Sequence, residues 1–196
     1  SSGRELAKRA QRPNKVEMTI WGVSALGHDA SISVVDRDGR ILFAAHSERY
    51  SRVKNDALLN DAIVAEAVRF GAPTEIAWYE QPMKKRFRQL YAGQWRDALR
   101  PSVSPERYLK QWPALRRAPL TFIGHHRSHA GAGFFTSGFS DAVVVVADAI
   151  GEWDTVTIWS ARGDRLELLK SWTYPNSLGL LYSAFTYFTG FKANSG

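Results

Sequence analysis

The 196-residue sequence contains no cysteine. That absence removes disulfides, thiolate nucleophiles and cysteine-type zinc sites together, so any metal must be held by His, Asp or Glu. Long hydrophobic runs are missing too. Nothing approaches the roughly 20 apolar residues of a membrane helix, and Ser1 to Glu17 is too polar for a signal peptide. No membrane association is expected, and a cytoplasmic protein is the default. Acidic residues are scarce where basic ones are dense: from Lys84 to Arg117 there are ten Lys and Arg against Asp97 and Glu106, while the whole chain carries +7. With 44% apolar and 23% charged residues, what remains is ordinary globular material for one or two lobes.

Residues 1–17 combine Ser-Ser-Gly, alternating charge and Pro13 with little to bury, the pattern of a flexible leader or expression remnant. Three strand-like runs follow, Met18 to Ser24, Ser31 to Asp36 and Ile41 to Ala45, the last two joined by a turn at Arg37 to Arg40. Helical spacing predicts a helix from Leu58 to Phe70, closed by Gly71 and Pro73, and Glu75 to Tyr79 reads as a strand. In the basic segment Met83, Phe87, Leu90, Tyr91, Trp95 and Ala98 share one helical face up to Leu99, which predicts a core-facing apolar stripe with solvated charges elsewhere. Pro101, Pro105 and Pro113 break the chain into turns and short pieces. Leu120 to Ile123 then reads as a strand and the next element as a helix. Ala142 to Ala147 has the apolar, β-branched look of a strand buried on both faces and ended by Asp148. Thr155 to Ser160 and Leu166 to Trp172 open a second meander, with a helix running to about Phe188.

The order repeats itself in outline: three antiparallel strands, then alternating helix and strand, then three strands and a helix. The predicted fold is α/β of the actin-like (ASKHA) kind, with one ribonuclease-H-like unit over 18–140 and the start of a second, truncated, over 141–196.

Three segments are candidates for chemistry. Gly27-His28-Asp29-Ala30-Ser31 is a loop whose small residues let backbone N–H groups approach an anion; it also reads as a polar loop capped by Asp29. His125-His126-Arg127-Ser128-His129, at the start of a helix, puts His125 and His129 on one face within reach of a single ion, with His126 turned about 100° away. Such pairs are often incidental, and the sequence offers no obvious third ligand. Asp148-Ala149-Ile150-Gly151-Glu152 places two carboxylates around a glycine turn, suited to a magnesium-bound polyphosphate and equally to a plain hairpin.

Together these segments resemble the NodU/CmcH-type carbamoyltransferases. The likeness extends to Ser47-Glu48-Arg49-Tyr50-Ser51-Arg52-Val53-Lys54, to Ser177-Leu178-Gly179-Leu180-Leu181-Tyr182-Ser183-Ala184-Phe185-Thr186, and to Gly190-Phe191-Lys192-Ala193-Asn194-Ser195-Gly196, all in family order. The resemblance implies transfer of a carbamoyl group from carbamoyl phosphate, through carbamoyl-adenylate made by a carboxy-terminal YrdC-like domain absent from this chain, to a hydroxyl or amine of a small-molecule acceptor. It implies ATP with Mg2+, and an iron-like divalent metal, Fe2+ or Zn2+, on His125 and His129, with an aspartate ligand beyond residue 196. His28 would take the acceptor's proton. Asp29, Arg52, Lys54, Asp148, Gly151, Glu152, Lys192, Asn194 and Ser195 would bind phosphate or substrate. On this reading the chain alone is an inactive part of an enzyme of natural-product biosynthesis. Ala149 stands where the family usually has glycine and would resist a left-handed backbone.

Two other readings compete. An actin-fold phosphotransferase would need a catalytic aspartate where this sequence offers a histidine pair. A nucleic-acid-binding module would use Lys84 to Arg117 with Tyr91, Trp95, Tyr108 and Trp112 as stacking platforms; it is disfavoured because those aromatics are expected in the core.

Overall fold

The computed structural model describes residues 18–27, 29–99 and 103–192, with the side chains of residues 97 and 98 left out. The leader at 1–17, His28, Asn194 and Ser195 lie outside the described residues. By its internal contacts the chain divides into two units, one running to Ala77 and including Pro105–Leu120, the other made of Trp78–Ser104 and the chain from Thr121 on.

In the first unit β1 (Thr19–Ser24), β2 (Ser31–Asp36) and β3 (Ile41–His46) form the antiparallel meander the alternation predicts. Its turn is set by the Asp36 carboxylate, which accepts from Asp38 N and Arg40 N, both at 2.9 Å. Trp21 faces Val34 and Val23 faces Ile32 across the strands, and all four are buried with Thr19. Each such side chain contributes about 1.5–3 kcal/mol of burial. A short α1 (Glu48–Ser51), unforeseen from the sequence, precedes α2 (Asp61–Val68). The α2 start falls three residues after the expected Leu58 because Asn60 caps it, accepting from Ile63 N at 3.1 Å. Asn60 also donates to the fully buried Ser47 Oγ at 3.2 Å. Strand β4 (Glu75–Trp78) follows, then α3 (Pro82–Tyr91) and α4 (Trp95–Leu99), and α5 (Pro105–Leu109) returns to this unit. There the Tyr108 hydroxyl accepts from Leu59 N at 2.6 Å and Trp112 Nε1 donates to Asp61 at 2.8 Å. With β5 (Leu120–Phe122) the strands complete a five-stranded mixed sheet of order β3-β2-β1-β4-β5.

The second unit is built on α6 (His125–Phe135), β6 (Asp141–Gly151), β7 (Asp154–Arg162), β8 (Arg165–Thr173) and α7 (Leu178–Phe188), the strands forming an antiparallel sheet of order β6-β7-β8. Ala130 on α6 packs against Val146 and Trp159, with Val144 and Leu166 around them.

Three expectations are corrected here. Strand β6 is not buried on both faces: Val143 and Val145 are exposed while Val144 and Val146 lie on the face that Ala130 of α6 covers. Nor does Asp148 end it, since the strand runs on to Gly151 with its register broken after Ala147. The basic helix also differs. It stops at Tyr91 and restarts at Trp95 around Gly93, whose φ of 71° belongs to the left-handed region. Met83, Phe87, Tyr91 and Trp95 are exposed, and the buried residue of α3 is Arg88. Amphipathic spacing fixes which residues share a face, not which face the fold covers.

Asn60→Ala should destabilise the chain by about 1–2 kcal/mol through the lost α2 cap, and Asn60→Asp, which keeps the cap but not the bond to Ser47, by less. Chemical denaturation midpoints measure both.

Candidate metal centre

Helix α6 begins at His125, and Gly124 in the N-cap position has no side chain to satisfy the exposed N–H groups. Glu152 supplies the acceptor from outside the helix. Its Oε1 takes His125 N at 3.2 Å and Gln81 N at 2.5 Å. A carboxylate at the positive end of a helix is favourable, and this one is buried at 7% exposure on a residue with φ of 43°. Ser128 Oγ, with one proton, is shared between Tyr79 O at 3.1 Å and Gly124 O at 3.3 Å, tying the first turn of α6 to the end of β4.

One turn apart on α6, His125 and His129 bring their Nε2 atoms to 3.1 Å, and Asp148 Oδ2 lies 2.9 Å from His125 Nε2. The candidate ligand atoms of all three lie within 4.8 Å of one another. Hydrogen bonds alone do not satisfy this trio. If His125 Nε2–H donates to the carboxylate, that nitrogen has no lone pair to offer His129; if it accepts from His129, it faces Asp148 lone pair to lone pair. Three donor atoms converging within 4.8 Å of one another are a set that one cation can take, so the residues present fit a divalent metal.

The electrostatics agree. The hydrogen bond from His125, with the Ala149 N–H on the other oxygen at 2.6 Å, holds the Asp148 carboxyl down at about 2 despite its burial. Burial lowers the His129 imidazole, and His125 lowers it further, which favours the neutral, ligand-competent form. His126 is turned away as its position on the helix dictates: buried, it meets Thr157 Oγ1 through Nδ1 at 2.9 Å, and burial lowers its pKa. Tyr79 stands edge-on to His125, ring centres 5.9 Å apart, its phenol pushed above the ordinary range by burial and then by Glu80.

Two glycines make room for this arrangement. A Cβ on Gly151 would lie 2.4 Å from His125 Cδ2 and 2.7 Å from His126 Cδ2. One on Gly179 would lie 2.6 Å from the Ala149 backbone and 2.7 Å from Asp148 C. Helix α7 can therefore approach β6 at Asp148 and Ala149, and Ser177 secures it there, accepting from Leu180 N at 3.0 Å while donating to Ala149 O at 2.6 Å. Ala149 itself is not left-handed; the positive φ falls on Glu152.

Of the residues singled out from the sequence, His125, His129 and Asp148 are brought together. Gly151 abuts the imidazoles, and Glu152 holds the helix start. In the first unit Leu26 N donates to Ala57 O at 2.8 Å and Ala30 N to Asp56 O at 2.7 Å, which draws the loop around Asp29 to the chain just after Lys54. Asp29 and Arg52 have φ of 51° and 60°, and Arg52 and Lys54 are exposed. Lys192 is exposed. Asp148 as companion of the histidines went unseen, because it lies 23 residues from His125 along the chain and no spacing rule spans that distance. Tyr79 and Gln81 carried no signal.

A family model described as the carbamoyltransferase N-terminus matches residues 87–196, and the chain belongs to that family. It is 36% identical over 204 residues to an uncharacterised protein, sll1178, of Synechocystis sp., covering 90% of this chain and 33% of that protein. It is 28% identical to the uncharacterised protein MJ1051 of Methanocaldococcus jannaschii, over 85% of this chain and 29% of the relative. It is 26% identical to the nodulation protein NolNO of Sinorhizobium fredii, over 79% and 24%. The chain thus spans about a third of the length of the relatives it matches, or less. No helix among the described residues is long and apolar enough to cross a membrane.

Gly151→Ala should cost about 1–3 kcal/mol by overpacking and shift the imidazole resonances of both His125 and His126, read by NMR. In metal-free protein Asp148 should contribute at most about 2 kcal/mol. Because its folded pKa is depressed, that contribution is complete above its ordinary value of 3.8 and disappears as pH falls through about 2. Asp148→Asn should flatten the stability curve in that window, as acid titration of the unfolding free energy would record.

Proposed function

We propose that this chain supplies part of the transfer domain of an ATP- and metal-dependent carbamoyltransferase, which moves a carbamoyl group from carbamoyl phosphate, by way of carbamoyl-adenylate, to a hydroxyl or amine of a small molecule. The observation that carries the reading is the meeting of His125, His129 and Asp148, in a chain of the carbamoyltransferase family. An actin-like architecture accords with it: each three-stranded antiparallel meander, β1–β3 and β6–β8, is followed by a helix.

On this reading His125, His129 and Asp148 hold a divalent metal. When bound it supplies Lewis acidity, stabilising negative charge on the oxygens of the group being transferred. The chain's own residues do the rest. Glu152 fixes the start of α6 and so the position of His125, Gly151 leaves the ring its space, and Ser177 with Gly179 fixes Asp148. Tyr79, edge-on to His125, limits rotation of its ring. In the transfer step the acceptor oxygen or nitrogen bonds to the carbamoyl carbon, the bond from that carbon to the adenylate oxygen breaks, AMP leaves with the electron pair, and the acceptor's proton passes to a base. His28 has the chemistry of that base. Asp29, Arg52 and Lys54 in the first unit would bind phosphate or substrate, and by their place in the family pattern so would Lys192, Asn194 and Ser195. Adenylate formation belongs to a YrdC-like domain of the longer protein.

The test is metal content and carbamoyl transfer by the intact protein, given ATP and carbamoyl phosphate, for wild type, His125→Ala and His129→Ala. Both variants should lose bound metal and at least about a hundredfold in transfer rate while still forming adenylate. Unchanged metal and turnover would make the trio structural and leave the activity resting on family membership alone.

A further inference from the structure

Arg88 is the one buried residue of α3, 8% exposed, on a helix whose other basic residues reach solvent. Among the described residues its guanidinium makes a single hydrogen bond, from Nη1 to Gln94 Oε1 at 3.3 Å, and Nε is buried with no partner. No salt bridge to a described carboxylate reaches it, whereas Lys85 on the same helix pairs with Glu80 at 3.1 Å. A buried cation without a counterion costs several kcal/mol, and burial accordingly weakens this one's hold on its proton. Proteins carry that cost where it serves something.

The geometry around Arg88 is built. Helix α3 ends at Ala92, Gly93 turns the chain through a left-handed conformation, and Gln94 N bonds back to Gln89 O at 2.8 Å, which returns the Gln94 amide to the guanidinium. Tyr91, one turn on from Arg88, packs against Trp153 with ring centres 5.3 Å apart. Trp153 O accepts from Tyr174 N at 2.9 Å, and the Tyr174 phenol lies close enough to act on the guanidinium electrostatically. With Nη1 committed to Gln94, the edge left over is Nε with Nη2, the pair that grips two oxygens of an oxyanion side-on.

We propose that Arg88, with Gln94 and Tyr174 beside it, is a binding site for an oxyanion. The ligand presents two oxygens to the Nε and Nη2 edge. A phosphoryl group and a carboxylate share that chemistry. The site does not depend on the carbamoyltransferase reading.

The test uses the intact protein with two probes, inorganic phosphate and acetate, followed by the Arg88 Nε–H resonance and by binding calorimetry on wild type, Arg88→Lys and Arg88→Gln. The Nε–H resonance should move on titration of one probe, and affinity should fall roughly ten- to a hundredfold in Arg88→Lys, which keeps the charge but loses the fork. A response to phosphate assigns a phosphoryl ligand, and a response to acetate a carboxylate. His125→Ala should leave either response intact, so the site stands even where the metal reading fails. A wild-type Nε–H resonance that neither probe moves, or binding equal in all three proteins, would overturn the proposal and leave Arg88 a cation satisfied by buried water.

Discussion

Between Ala147 and Gly151 the β6–β7 ladder loses its register, and the candidate metal centre depends on that interruption. In a continuous ladder the residues of the strand would alternate between the α6 face and the open face. The break instead lets Asp148 turn its carboxylate to His125 while its second oxygen accepts from Ala149 N. It also places Gly151 beneath two imidazoles, and it delivers Glu152 in a left-handed conformation to the start of α6. One irregularity thus positions a ligand, a space and a cap.

Two carboxylates four residues apart serve opposite purposes because their surroundings differ. Glu152 is buried and spends Oε1 on backbone N–H groups, so it fixes structure and occupies the helix end where an anion could otherwise sit. Asp148 keeps an oxygen directed at a side chain whose nitrogen has more lone-pair neighbours than protons. The arrangement is poorly satisfied by itself, which is the physical argument for a cation. Arg88 shows the converse imbalance, a buried surplus of donors.

Much of this was legible in the sequence. The β1–β3 meander, the α7 helix and the one-turn pairing of His125 with His129 follow from local periodicity, which the chain expresses within a few residues. The grouping of Asp148 with the histidines did not, because it requires β6 to pass beside α6. The apolar stripe of α3 failed for a related reason: Phe87 and Tyr91 share a face as their spacing dictates, but tertiary packing covers Arg88. Asn60 as a cap was readable in principle, being a standard N-cap residue ahead of an apolar run.

Gly151 and Gly179 have a consequence for how a gene encoding this chain can drift. Every missense change at a glycine codon adds at least a Cβ, and here that atom would fall within 2.4–2.7 Å of an imidazole or of strand backbone. Neither position has a conservative neighbour in codon space. Variation that leaves the His125, His129 and Asp148 geometry intact must therefore enter elsewhere, most readily along the solvent-facing side of α3.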